Sequence, residues 1–497
     1  MSLGYISSGA AAAEADHDAW KGIAGRDEFF WMTEVNKATL LTNVRKGLLT
    51  HDQAVRFARA VSEVYAEAQT PGAARPRMYI RYEPLLVKKA GYELSLMHAG
   101  RSSQDIHSTF QRAILRDETL ELMKALIAVV DALIQMAQQQ RGTLVPCYTN
   151  GVVAQPSDFS HVLLAHATAF MRDLDRTAAF YQRLNECPMG SCVLNGTGWP
   201  LDRQGMSAYL GFEKPVENTF DAGQVAGTDV AVEASLVLTH PLLHICQIIA
   251  EVMQQYAQPE PWILVSTTYA SSAMPQKRNP GPIIDIRRDA GEVLARIQGV
   301  VMRAHNLPTG MYDAKDEILN RETVGDATNV IGRFAKLIGM LTVNRERALE
   351  ELNHDWSASQ ELADVLMRDF GIPFRIGHTL ASRMVTVARQ KHLTPKSISV
   401  DVVSDIYRDI RAEMPDAFEH LPEAFPLSQE QFRAVLDPAH IVAQRAVQGG
   451  PQPESLDKLF ACAERGAQLW HADITRLEKA LHEALDSLDR DFLALVS

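Results

Sequence analysis

The stretch SSAMPQKRNP, residues 271–280, places two serines, a lysine and an asparagine where two prolines disfavour a helix and too few apolar residues remain for a buried strand. An anion-binding loop accounts for that composition. Lys277 and Asn279 can hold a carboxylate or a developing enolate, with Ser271 or Ser272 as nucleophile or base. A solvated loop accounts for it equally. Two other polar stretches accompany it. In HAGRSSQD (98–105), Gly100 permits a turn and Arg101 offers a cationic fork, while Ser102, Ser103 and Gln104 offer neutral hydrogen bonds. Asp105 can cap a following helix, so a plain helix start is the other reading. In YTNGVVAQP (148–156), Thr149 and Asn150 are small and polar, and by themselves read as a turn.

The elements that must position these loops read as helices. Leu115, Leu122, Val129 and Met136 recur every seven residues, with Leu126 and Leu133 on the same stripe, so 105–140 is expected to be one long helix. It is either the core helix of one chain or part of a subunit-bridging bundle. Its length, far above the usual ~11–12 residues, favours the second. Residues 160–184, 227–256 (kinked at Pro241), 281–306 and 322–353 complete a set of five long helices. Before them, 28–68 and 80–97 read as helical around a Pro/Gly linker at 67–79, with Pro84 setting a start. After them, 371–497 holds shorter helices and a looser segment at 449–455. The expected architecture is all-α in three helical domains: 1–110, a central five-helix bundle at 111–366, and 367–497.

Composition narrows the function classes. The chain has 497 residues, 46% hydrophobic and 22% charged, with 29 Gly and 23 Pro, so large disordered tracts are not expected. A formal net charge of -12 argues against nucleic-acid binding, though a local basic pocket can still take an anionic substrate. The five cysteines form no CxxC pair and read as reduced thiols of a cytoplasmic protein. Residues 1–16 lack a basic start and an apolar run, so no secretory signal is expected. No uninterrupted apolar run approaches the ~20 residues of a membrane span. His240 and His244 share a helix face, but without a third ligand they read as structural. His161 and His166 read as bundle residues, and no phosphate-cradling glycine motif is present.

Taken together, the three loops resemble the separated signature regions of the fumarase/aspartase superfamily, and within it the argininosuccinate lyase family. The family's GSSxMPxKxNP stands here as Ala270 to Pro280, and its TGRSRND as Ala99 to Asp105. PMGSCVLNGTGWPLDRQ (188–204) and ELADVLMRDFGIPFRIGH (361–378) are similar to two further family segments.

The resemblance implies anti β-elimination from a succinyl group, releasing fumarate from an N-substituted aspartate. It implies Ser271 as the base, with Lys277 making its proton labile and Asn279 contacting a substrate carboxylate. Ser272 and Met274 line the same loop. Arg101, Ser102 and Thr149 hold the succinyl end, and Gln155 shapes the second region. Tyr312 matches a family tyrosine, with Lys315 or Arg321 as a neighbouring cation. No metal and no cofactor is implied. The implied assembly is a homotetramer with a twenty-helix core, each site drawing its loops from three subunits.

Two positions depart from the pattern. Asn150 stands at the family's proton-transferring histidine and cannot shuttle a proton. Ser103-Gln104 replace an Arg-Asn pair at the leaving-group end. His107 is a candidate substitute acid, although a plain helix-surface histidine is the favoured reading. The resulting expectation is a carbon–nitrogen lyase acting on argininosuccinate or an aminopolycarboxylate such as ethylenediamine-disuccinate. A carboxymuconate cycloisomerase and a non-enzymatic, crystallin-like protein are the alternatives.

Overall fold

The computed structural model describes residues 26–73, 75–311 and 321–496, and the backbone of 317–320. About 69% of the chain is helical. Strands among the described residues are confined to four short two-stranded pairs. The N-terminal helices are α1 (Glu28–Arg45), α2 (His51–Ala68) and α3 (Tyr79–Ala90). Pro84 lies inside α3 instead of opening it. The carbonyl it leaves without an amide belongs to Ile80, which is exposed.

The dominant element is α4 (Ser103–Gln139), 37 residues long. It starts at a capping box: the side chain of Ser102 accepts from the first turn, and Asp105 Oδ1 accepts from the Ser102 amide at 2.7 Å. Leu122, Leu126, Val129, Leu133 and Met136 are all buried, as their seven-residue spacing requires. A β-hairpin follows, β1 (Leu144–Thr149) against β2 (Val152–Asp158). It leads into α5 (Phe159–Leu184). A short helix, α6 (Arg203–Tyr209), precedes a π-turn at Asp221–Val225. Next come α7 (Ala226–Leu236) and α8 (Thr239–Gln255). The break between them is the kink expected at Pro241. Lacking an amide, Pro241 cannot bond Val237, and the backbone turns just before it.

A strand β3 (Ile263–Val265) and the small pair β4 (Tyr269–Ala270) and β5 (Arg278–Asn279) lead to α9 (Gly281–Ala304). The helix expected over 322–353 is two. α10 (Glu317–Ile338) stops before Gly339, and Leu341–Val343 forms β6, antiparallel to β3. α11 (Arg345–His354) then starts on an Asn344 cap. β-branched residues beside a waiting strand edge outweigh helical periodicity here. A third core holds the remaining short helices between Trp356 and Ile441. The final helix, Pro453–Val496, packs not in that core but along α4 and α5, through Leu456, Phe460 and Ile474. It then reaches the N-terminal core through Leu481, Leu488 and Phe492.

Among the described residues one kinked helical segment, Asp221–Gln255, is long and apolar enough by length and composition to cross a membrane. The reading of uninterrupted apolar runs overlooked it because isolated polar residues interrupt the sequence. Only 39% of its most apolar window is buried within the chain. Val225, Leu236 and Leu243 are exposed along it.

The α4 stripe is tightly packed, so Leu126→Ala, at a fully buried position, should cost ~2–5 kcal/mol. The expected readout is a lower urea midpoint at unchanged slope.

Candidate active site

The 271–277 loop is closed at its base by the β4–β5 pairing, Tyr269 with Asn279 and Ala270 with Arg278. At its head, Ser271 Oγ accepts from the Met274 amide at 3.0 Å and from the Ala273 amide at 3.4 Å. Two backbone dipoles therefore point at the oxygen that would carry negative charge if Ser271 lost its proton. The Lys277 amide bonds the Met274 carbonyl at 3.1 Å, and the side chains of Lys277, Ser272 and Met274 are exposed. Asn279 Nδ2 donates to the Tyr269 carbonyl at 3.2 Å. Tyr269 braces the whole loop. Its ring lies over Gly281, where an added Cβ would come within 2.1 Å, and its hydroxyl donates to Asp285 on α9 at 2.9 Å.

Thr149 and Asn150 occupy the tip of the β1–β2 hairpin, both exposed. Asn150 and Gly151 have φ of 53° and 75°, the two left-handed positions of a tight hairpin turn that Asn-Gly favours. Behind the tip, the Tyr148 hydroxyl donates to Glu351 at 2.5 Å and accepts from Gln255 Nε2 at 2.7 Å. Gln155 Nε2 donates to Gln360 at 2.9 Å, tying the hairpin to the C-terminal region.

The first loop lies at the start of α4. Ser102 caps the helix, Ser103 is exposed and Gln104 half-buried. Arg101 is buried, its ring-facing guanidinium 5.0 Å from the Tyr79 centroid and its Nη2 donating to Asn36 at 2.7 Å. As placed, it backs the loop, with Nε and Nη1 buried and without a hydrogen-bond partner among the described residues. Asp105 is fully buried, and burial pushes its carboxyl up against the pull of its amide donors. Its Oδ2 accepts from Gly190 and Cys192, at 3.1 and 3.2 Å. This fastens the 188–201 segment to the first loop. Thr197 and Leu201 pack so closely on Gly100 that a Cβ there would lie 2.8 and 2.6 Å from them.

Tyr312 and Lys315 lie outside the described residues. Arg321, just beyond them, pairs with Glu118 at 2.8 Å and Glu28 at 3.2 Å. Burial pushes Glu118 up to about 7 even beside that guanidinium. Among the histidines, His107 packs edge-on to Phe110. His244 bonds the buried Asp173 at 2.7 Å. No group of three or more metal-ligating side chains occurs among the described residues.

The whole of α4 separates the first loop from the second within one chain. The first opens α4 and the second follows its far end, about 55 Å away at ~1.5 Å per residue. Among the described residues no hydrogen bond or ion pair joins the 271–279 loop to either of the others.

Residues 50–294 match the family described as Lyase, and residues 356–443 match that described as Argininosuccinate lyase C-terminal. The chain belongs to the argininosuccinate lyase family of the fumarase/aspartase superfamily. It is 26% identical over 484 residues to the argininosuccinate lyase of Methanothrix thermoacetophila, covering 95% of this chain and 96% of that one. To that of Methanoculleus marisnigri it is 29% identical over 468 residues, with 92% of each covered. Among solved structures, an EDDS lyase in complex with formate superposes with a TM-score of 0.85 at 25% identity, over 94% of this chain and 92% of that one. A class II fumarase from Schistosoma mansoni, 16% identical with a TM-score of 0.65, covers 83% of this chain and 90% of that one and shares the fold. This argininosuccinate lyase family member is accordingly an enzyme of the carbon–nitrogen lyase type.

Sequence reasoning missed two supports of the family loop, Tyr269 and Gly281. The signal was a tyrosine two residues ahead of the serine motif and a glycine directly after its closing proline. Gly281→Ala should displace the Tyr269 ring and lower activity at least tenfold, with the thermal midpoint little changed. Equal activity in steady-state assays would show that the ring does not brace the loop.

Proposed function

We propose that this carbon–nitrogen lyase cleaves an N-substituted aspartate by anti β-elimination to fumarate and an amine. One observation carries the base assignment: the Ser271 oxygen already receives two backbone amides. A serine hydroxyl is a weak base at neutral pH unless its alkoxide is stabilised. Those amides supply part of that stabilisation, and Lys277, free to swing on an exposed loop, supplies charge. Ser271 removes the proton beside the substrate carboxylate. The electrons collapse into that carboxylate, and the resulting dianion is held by Lys277, Asn279 and the polar groups of the other two loops. The carbon–nitrogen bond then breaks, releasing fumarate.

The helix length makes a shared site part of this proposal. The loops can converge only if different copies contribute them, and the exposed apolar side of Asp221–Gln255 supports a bundle formed between copies. A homotetramer is the assembly we infer. A reducing, cytoplasmic setting suits its five free cysteines. The neutral Ser103-Gln104 pair changes the leaving-group end of the pocket, so argininosuccinate and an aminopolycarboxylate are both candidate substrates. A cycloisomerase and a non-enzymatic role are not favoured by the relatives.

Ser271→Ala should reduce fumarate release at least 100-fold with folding unchanged; full activity would remove the base assignment. Mixing two inactive variants, Ser271→Ala and Thr149→Val, after joint refolding should restore part of the activity. A mixture that stays inactive would argue that each site is built from one chain.

A further inference from the structure

A cavity of about 390 Å³ lies behind the hairpin tip, between α4, α5 and α8. Asn150 and Gly151 stand at its edge, and Leu133, Met136, Val162 and Trp262 form an apolar wall. The cavity also holds an ionisable pair. His166 Nε2 on α5 lies 3.5 Å from Glu251 Oε2 on α8. The imidazole is mostly buried and the carboxylate half-exposed, with side-chain exposures of 16% and 52%. The other titratable groups lining it are Cys147 and Tyr148. Burial pushes the Cys147 thiol up, and the Tyr148 hydroxyl is already engaged with Glu351 and Gln255.

We propose that this cavity receives the departing amine and that His166, held by Glu251, is its proton donor. This inference rests on the elimination described above. It answers the difficulty raised by Asn150, which sits where a proton-transferring group is needed and cannot supply one. An imidazolium beside a carboxylate, in a cavity that begins at Asn150, can. As the carbon–nitrogen bond breaks, its electron pair passes to nitrogen. The nitrogen takes the proton of the His166 imidazolium, leaving a neutral amine and a neutral imidazole. Ser271 meanwhile holds the proton taken from carbon, and exchange with solvent resets both groups. The walls define the substrate class: an amine whose substituent is apolar or aromatic, with its nitrogen directed at the His166–Glu251 pair.

Two substrates separate the donor role from a structural one. N-benzylaspartate releases an alkyl amine that must be protonated to leave, and N-(4-nitrophenyl)aspartate releases an amine that need not be. His166→Gln should lower kcat at least 100-fold on the first and less than threefold on the second. Glu251→Gln should show the same pattern in weaker form. Equal effects of His166→Gln on both substrates, or no effect on either, overturn the donor assignment. Narrowing the cavity with Val162→Trp should raise the KM for benzylamine in the reverse addition while that for fumarate stays constant. An unchanged benzylamine KM overturns the pocket assignment. Wild-type enzyme that releases fumarate from neither substrate sinks the elimination itself and this proposal with it, whereas selective failure of the His166 pattern sinks this proposal alone.

Discussion

The burial of one helix face after another along Ser103–Gln139 governs this molecule. A stripe of leucines and valines recurring every seven residues keeps α4 unbroken for 37 residues. An unbroken helix fixes distance. The polar groups at its start and those just past its end are held apart by nearly the whole length of the bundle, and no loop movement of ordinary size can bring them together. The shared site proposed above follows from that separation: it asks that different copies supply the loops.

Within each loop the chain does its own preparation. The serine loop is tied at its base by two short strands, braced from outside by a tyrosine ring on a glycine, and aimed at its head by two amides. None of these contacts needs a second subunit. The hairpin is similarly prepared, with the Tyr148 hydroxyl set between Glu351 and Gln255. In the proposed assembly the loops that meet already hold their shape, which reduces the ordering cost of forming a site.

Much of this was legible in the sequence, for reasons that can be named. The long helices announced themselves because core positions repeat at helical spacing, and the serine loop because its residue types are improbable in any buried element. The second half of 322–353 was misread because Leu341–Val343 fits a helical stripe and a strand equally well, and only the partner strand at Ile263–Val265 decides between them. Arg101 reads from the sequence as a cation in a polar loop, and how its guanidinium is held is not legible there. Its burial against Tyr79 and Asn36 depends on residues far away along the chain. Asn150 read as a lost catalytic group, and the structure adds a positive reason for it, since its backbone adopts the left-handed turn that asparagine tolerates.

The segment fastened by Asp105 carries a tension of its own. Cys192 and Val193 have φ of 47° and 75°, a backbone shape that a β-branched residue resists at a cost of ~1–3 kcal/mol. The Cys192 amide is held by Asp105, and the Val193 carbonyl by Gln224 of the π-turn at 3.0 Å. The start of α4 and the start of the Asp221–Gln255 segment thus grip a coiled spring between them. Slippage of either helix along the bundle would let the spring relax, so the register of two long helices is recorded in the torsion of a single valine.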